Sequence, residues 1–222
     1  MEKRITALKA QKRNTNRINV YLDGEFAFGL ARIVAAWLQI GQILTEEKIA
    51  DLQRQDTHEV AYQRALNLLS YRPRAAAEIE RRLVEAGYEP ATIDLVLDRL
   101  RRSGLVMDEQ FARTWIENRS EFRPRGRRLL AAELRQKGVS DEVITQALED
   151  MTDESSLAYQ AAKRYARRLA GLEWLRFRER LGAFLARRGF SYETSLPAVR
   201  RVWEELQSAS EGTPDYDEGL DE

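Results

Sequence analysis

FRPRGRRLLAAELRQKGVSDEVITQALEDM, residues 122–151, reads as a helix turned across a glycine onto a second helix. Leu130 and Leu134 stand four apart, the spacing of one helical face. Gly138 follows where a left-handed residue ends such a helix, and Ser140 is placed to cap the next one. The same pattern recurs on both sides. Gly87, Gly138 and Gly189 are evenly spaced (138 − 87 = 51 and 189 − 138 = 51). Leu83, Leu134 and Leu185 lie four residues before them, and Ile79, Leu130 and Leu181 eight before. Tyr88, Val139 and Phe190 come just after. Leu97, Leu148 and Val199, then Leu100, Met151 and Val202, keep equal offsets, as the apolar stripe of a following helix does. This is a threefold internal repeat, the mark of an array whose units bury their apolar faces by stacking on one another.

Working outward, the repeats divide at residues 57–106, 107–152 and 153–207, each predicted to hold three helices. In the first, an apolar pattern through Val60, Ala61, Leu66 and Leu69 ends at Tyr71-Arg72-Pro73-Arg74, because the residue before a proline is pushed out of helical geometry. A second helix covers 75–85, and Pro90 opens a third over 91–102 that Gly104 ends. In the second repeat Asp108 caps the opening helix, then 127–137 and a helix through Met151 follow. The third repeat has helices predicted at 154–170, 175–188 and about 195–207. Trp174-Leu175-Arg176 stands there in place of Arg-Pro-Arg.

Residues 1–56 form a small β-rich domain in this reading. ITALKAQ alternates imperfectly, and Asp23-Gly24 between two apolar runs signals a tight hairpin, giving a three-stranded antiparallel meander over 4–30. Short helices are expected at 32–38 and 46–53, the latter capped by Thr45, with Trp37, Leu38 and Ile40 closing the sheet. A boundary is placed near Asp56. Residues 208–222 carry six acids and no Lys or Arg, and their composition predicts a disordered acidic tail. Since the whole chain balances 36 basic against 36 acidic residues, the tail is −6 and the remainder +6.

Composition narrows the chemistry. No Cys is present and His58 is the only His, which removes disulfides, the usual zinc sets and a Ser-His or Cys-His triad. His58 reads as a solvated cap residue at a helix start. No apolar run reaches the roughly 20 residues a bilayer needs, and the N-terminus lacks a secretory signal, so a cytoplasmic protein is expected. No P-loop occurs and the acids sit at caps or in the tail, so a carboxylate-based hydrolase has little support. No enzyme activity, cofactor or metal is predicted.

The candidate binding residues are arginines. Tyr71-Arg72-Pro73-Arg74 and Phe122-Arg123-Pro124-Arg125 occupy equivalent repeat positions, the prolines setting the helix start and the aromatics stapling the turn to the core. Arg72, Arg74, Arg123, Arg125, Arg127 and Arg128 fall at helix starts, where the macrodipole does not favour cations. Arg outnumbers Lys by 30 to 6, and the planar guanidinium fork suits carboxylate and phosphate, although composition bias gives the same ratio. Lys9, Lys12, Arg13 and Arg17 form a second basic group near one turn, open to two readings: charges guarding a sheet edge, or contacts to an acidic partner or a nucleic-acid backbone.

LLSYRPR with ERRLVEAGY, then LVMDEQFARTWIENR with RPRGRRLLAAELRQKGVSDEVI, closely resembles the RecX family of bacterial regulatory proteins over roughly residues 61–206. The resemblance implies three tandem three-helix repeats in a curved elongated array, with the β-rich segment and the acidic tail outside the shared core. It implies a protein that binds the RecA filament across neighbouring protomers and inhibits its recombinase, ATPase and coprotease activities; a monomer is expected. The alternative is a helical-repeat protein that binds single- or double-stranded DNA directly.

Overall fold

In the computed structural model, residues 2–151 and 153–211 are described, without the side chains of 209–211. The predicted acidic tail from residue 212 onward lies outside them. The chain divides into two compact units, Met1–Met107 and Asp108–Glu222.

The first unit opens with strands β1 (Glu2–Ala10), β2 (Arg17–Leu22) and β3 (Glu25–Ala31) and a short fourth strand, β4 (Ile43–Thr45). They form one antiparallel sheet in the order β3-β2-β1-β4. The hairpin turn falls on Asp23-Gly24, both with positive φ (51° and 93°), the geometry that matches strand twist. Irregular register at Ile5/Ala7 accounts for the imperfect alternation of β1, and a second irregularity falls at Val20/Tyr21 between β2 and β3. One face buries Ile5, Val20, Leu22, Leu30 and Leu44 against Leu52.

Three expectations for this region are corrected. The sheet has a fourth strand that the sequence reading missed. The helix predicted over 32–38 is only a 3-10 turn at Ala35–Trp37, and Trp37 points outward at 89% exposure with Ile40 also exposed, so neither closes the sheet. Nor does the chain break at Asp56. Helix α1 runs unbroken over Glu46–Tyr71, because no Gly or Pro interrupts it before Pro73, and His58 is therefore mid-helix rather than a cap. Thr45 does cap it, its hydroxyl accepting from the Lys48 amide at 3.2 Å. The Asp56 carboxylate fastens the helix to the sheet edge, accepting from the Ala31 amide (2.5 Å) and the Arg17 guanidinium (2.8 Å).

One end of α1 thus covers the sheet, while Ala61, Tyr62 and Ala65 at the other join the first three-helix core. That core is completed by α2 (Ala76–Glu85) and α3 (Pro90–Arg102) through Ile79, Leu83, Ile93, Val96, Leu97 and Leu100. The second unit holds the other two triplets: α4 (Asp108–Phe122), α5 (Arg127–Gln136) and α6 (Asp141–Glu149), then α7 (Glu154–Ala166), α8 (Trp174–Arg187) and α9 (Tyr192–Glu211). Helix α7 closes in a 3-10 turn, Arg167–Leu169, short of the predicted 170, and α9 continues past the predicted 207.

The repeat is physically real. Ile79, Leu130 and Leu181 are fully buried, as are Leu83, Leu134 and Leu185. Each such side chain contributes about 1.5–3 kcal/mol on removal from water, so these six positions anchor the cores. Gly87, Gly138 and Gly189 share one conformation, with φ of +83°, +82° and +85°. In each copy the residue after the glycine donates its amide to the Leu carbonyl five residues back: Tyr88 to Leu83 (3.2 Å), Val139 to Leu134 (3.1 Å) and Phe190 to Leu185 (3.2 Å). This is a Schellman closure, which needs a residue comfortable at positive φ.

Candidate partner-binding surfaces around the Arg-Pro-Arg turns

The two Arg-Pro-Arg turns lie between the first and second helices of their repeats, and their aromatics do not staple to the core. Tyr71 is 84% exposed and Phe122 66% exposed, because the buried side of each turn is filled by Ala75 and Ala76 in one repeat and by Pro124 and Gly126 in the other. In the first turn the arginines face inward. Arg72 and Arg74 both clamp the Glu78 carboxylate, and Arg74 also donates from Nε to the Leu68 carbonyl at 2.9 Å. With 12% of the Arg74 side chain and 11% of the Glu78 side chain exposed, that pair organises the repeat, while Arg72 keeps an outer edge.

The second turn is built differently. Arg125 pairs with Glu133, which also accepts from Trp115 Nε1 (2.9 Å) and Arg119 Nε (3.4 Å). Arg123, Arg127 and Arg128 are exposed, and none of the three has a carboxylate side-chain partner among the described residues. The Arg127 backbone amide donates to Glu154 Oε1 at 2.9 Å, which supplies the first turn of α5 with the negative group its amides want.

Arg164, Arg187 and Arg188, which are not among the candidate residues chosen from the sequence, gather with Arg123 and Arg125 when the second and third repeats dock. Gly126 makes that docking possible. Its amide donates to the Arg188 carbonyl (2.9 Å), and a Cβ there would stand 2.6 Å from the Phe190 amide nitrogen. Arg188 packs over Phe184, 4.9 Å from its centroid, and reaches the Pro124 carbonyl at 3.3 Å. Burial, then repulsion from Arg123 and Arg164, lowers the proton affinity of Arg188. Burial, then Arg119, Arg188 and Arg123, lowers that of Arg125.

In the N-terminal sheet the basic group separates. Lys12 and Arg13 are exposed in the loop after β1, whereas Arg17 is tied to Asp56 and to the Gly29 carbonyl (2.9 Å).

What the fold defines is a helical-repeat protein that carries exposed guanidiniums and aromatics on packed three-helix units, with no group of three or more metal-ligating residues among the described residues. No helix among them is long and apolar enough to cross a membrane. Family models match as the RecX N-terminal domain over residues 3–45, the first RecX three-helix domain over 61–100, the second over 108–148 and the third over 152–197. The chain is 39% identical over 149 residues to the regulatory protein RecX of Mycobacterium sp. (strain KMS), covering 64% of this chain and 80% of that one. It is 29% identical over 202 residues to the regulatory protein RecX of Bacillus subtilis (strain 168), covering 89% and 76%. A crystal structure of regulatory protein RecX superposes with a TM-score of 0.72 at 29% identity, over 93% of this chain and 99% of that one. The chain belongs to the RecX family of regulatory proteins. Its β-rich segment, expected to lie outside the shared core, is the family's own N-terminal domain.

Proposed function

We propose that this protein regulates the RecA recombinase by binding its filament, lowering strand exchange, ATP hydrolysis and coprotease activity in DNA repair without catalysing a reaction itself. A cytoplasmic monomer fits this reading. The observation that carries it is the run of four RecX modules over most of the chain, combined with arginines at their turns that the fold does not neutralise. A filament offers the same surface at regular intervals, so repeats that each bind weakly gain avidity by engaging neighbouring protomers. Interfaces favour aromatics and arginine, the composition of Tyr71 with Arg72 and of Phe122 with Arg123, Arg127 and Arg128. Lys12 and Arg13 add a third exposed basic group. Arg74, Arg125 and Arg17 hold internal ion pairs and act by positioning these turns.

The test is charge reversal at Arg127→Glu with Arg128→Glu, both exposed, so that the fold is retained. Inhibition of RecA ATP hydrolysis on single-stranded DNA should need at least about tenfold more variant than wild type, because each charge-assisted contact contributes about 1.5–3 kcal/mol. Unchanged inhibition would remove these residues from the contact surface.

A further inference from the structure

The arginines that converge at the junction of the second and third repeats exceed what the fold requires. Arg123, Arg125, Arg187 and Arg188, with Leu129 and Phe184, line a pocket of about 320 Å³ inside the second unit. Arg164 stands close enough to raise the local potential, its Nη1 3.5 Å from the Phe122 carbonyl. Glu133 neutralises only the Arg125 and Arg119 side, and it is shared between them. Among the described residues Arg123, Arg187 and Arg188 have no carboxylate partner, and the one hydrogen bond the Arg188 guanidinium makes is to the Pro124 carbonyl. Like charges collected this closely are costly unless an anion joins them.

We infer that this pocket is a phosphate socket, taking one phosphate group of a polyphosphorylated ligand between the guanidiniums of Arg123, Arg187 and Arg188. Guanidinium forks match phosphate oxygens bidentately, and several forks around one centre suit a multiply charged tetrahedral group better than a single carboxylate. The socket reads no base. Phe184, the pocket's aromatic, is stacked on Tyr165 at 4.0 Å with an interplanar angle of 4°, and the Arg188 guanidinium lies over its ring as well. Recognition therefore rests on the phosphate alone, whether a nucleic-acid backbone or a free nucleotide supplies it. The inference does not depend on RecA as the partner, and its test contains no RecA.

The full chain is titrated at low salt with tripolyphosphate, with ATP, and with dT and dA homopolymers, following heat of binding. Wild type binds tripolyphosphate, and Arg123→Glu with Arg187→Glu loses at least about 100-fold in affinity, about tenfold or more for each charged contact removed. Both side chains are exposed, so an unchanged thermal melt certifies the fold. Arg188→Lys, which keeps the charge but not the fork, weakens binding less than the double reversal. Competition between tripolyphosphate and the homopolymers identifies a nucleic-acid backbone as the source; competition with ATP alone identifies a nucleotide. Failure of wild type to bind any of these probes, or equal affinity in the double reversal, overturns the inference, as does a tenfold preference for dA over dT as regards base-blind recognition.

Discussion

Replacing Gly126 by Ala should loosen the third repeat from the second. The backbone of Gly126 has φ −76° and ψ 160°, which any residue adopts, so alanine brings no conformational strain there. The cost is collision. An added Cβ meets the Gly189 carbonyl and stands 2.6 Å from the Phe190 amide nitrogen, and these are backbone atoms fixed by the Schellman closure rather than a side chain that swings aside. Forcing a methyl into packed structure costs about 1–3 kcal/mol. Moving the strands of backbone apart also breaks the bond from the Gly126 amide to the Arg188 carbonyl, about 0.5–1.5 kcal/mol more. The expected loss is about 1.5–4.5 kcal/mol, or a fall in Tm on the order of 10 °C. Gly87→Ala is the comparison, since its surroundings are open and only the positive φ is penalised, about 1–2 kcal/mol. Urea unfolding followed by circular dichroism measures both. If Gly126→Ala stays within about 0.5 kcal/mol of wild type, as an ordinary surface substitution does, the docking described here is wrong.

Other outcomes follow from the ion pairs and cores. Glu78→Ala strands the buried Arg74 guanidinium and should cost about 3–5 kcal/mol by chemical denaturation, the usual result of removing one partner of a buried pair; Glu85→Ala, whose partner Arg82 is exposed, should cost less than about 1 kcal/mol. Leu134→Ala removes a fully buried side chain and should destabilise by about 2–5 kcal/mol in the same assay. The Glu205 carboxylate is held below its usual range, first by the Tyr159 hydroxyl (2.7 Å) and then by Lys163. A depressed carboxylate stabilises above its unfolded pKa and loses that contribution as pH falls through its folded value, so Tm should decline below about pH 4.5 and Glu205→Gln should flatten that acid limb. A slope unaltered by the substitution would assign the acid loss to other groups.

Much of the architecture was readable because its determinants are local. Buried leucines at helical spacing and glycines required at positive φ mark each repeat wherever it falls, and Asp23-Gly24 marks its hairpin. Failures occurred where local signals were absent. Strand β4 has three residues, too few for alternation to show, and α1 passes from sheet to repeat with no Gly or Pro to announce a boundary. The outward aim of Tyr71 and Phe122 depends on what fills the inner side of the turn. A trace of that was available, since position 126 − 51 = 75 holds Ala in the first repeat where the second has Gly126. The arginine pocket could not be read at all, because it joins Arg123 to Arg187 and Arg188 only when two repeats dock. Of the arginines singled out from the sequence, Arg74 and Arg125 are engaged within their repeats, which no one-dimensional pattern distinguishes from the exposed Arg123, Arg127 and Arg128.

The most direct measurement is steady-state ATP hydrolysis by RecA on single-stranded DNA, titrated with the full chain. The account predicts a saturable fall in rate, with no hydrolysis by the chain alone. A rate that stays level at large molar excess of folded protein would contradict it.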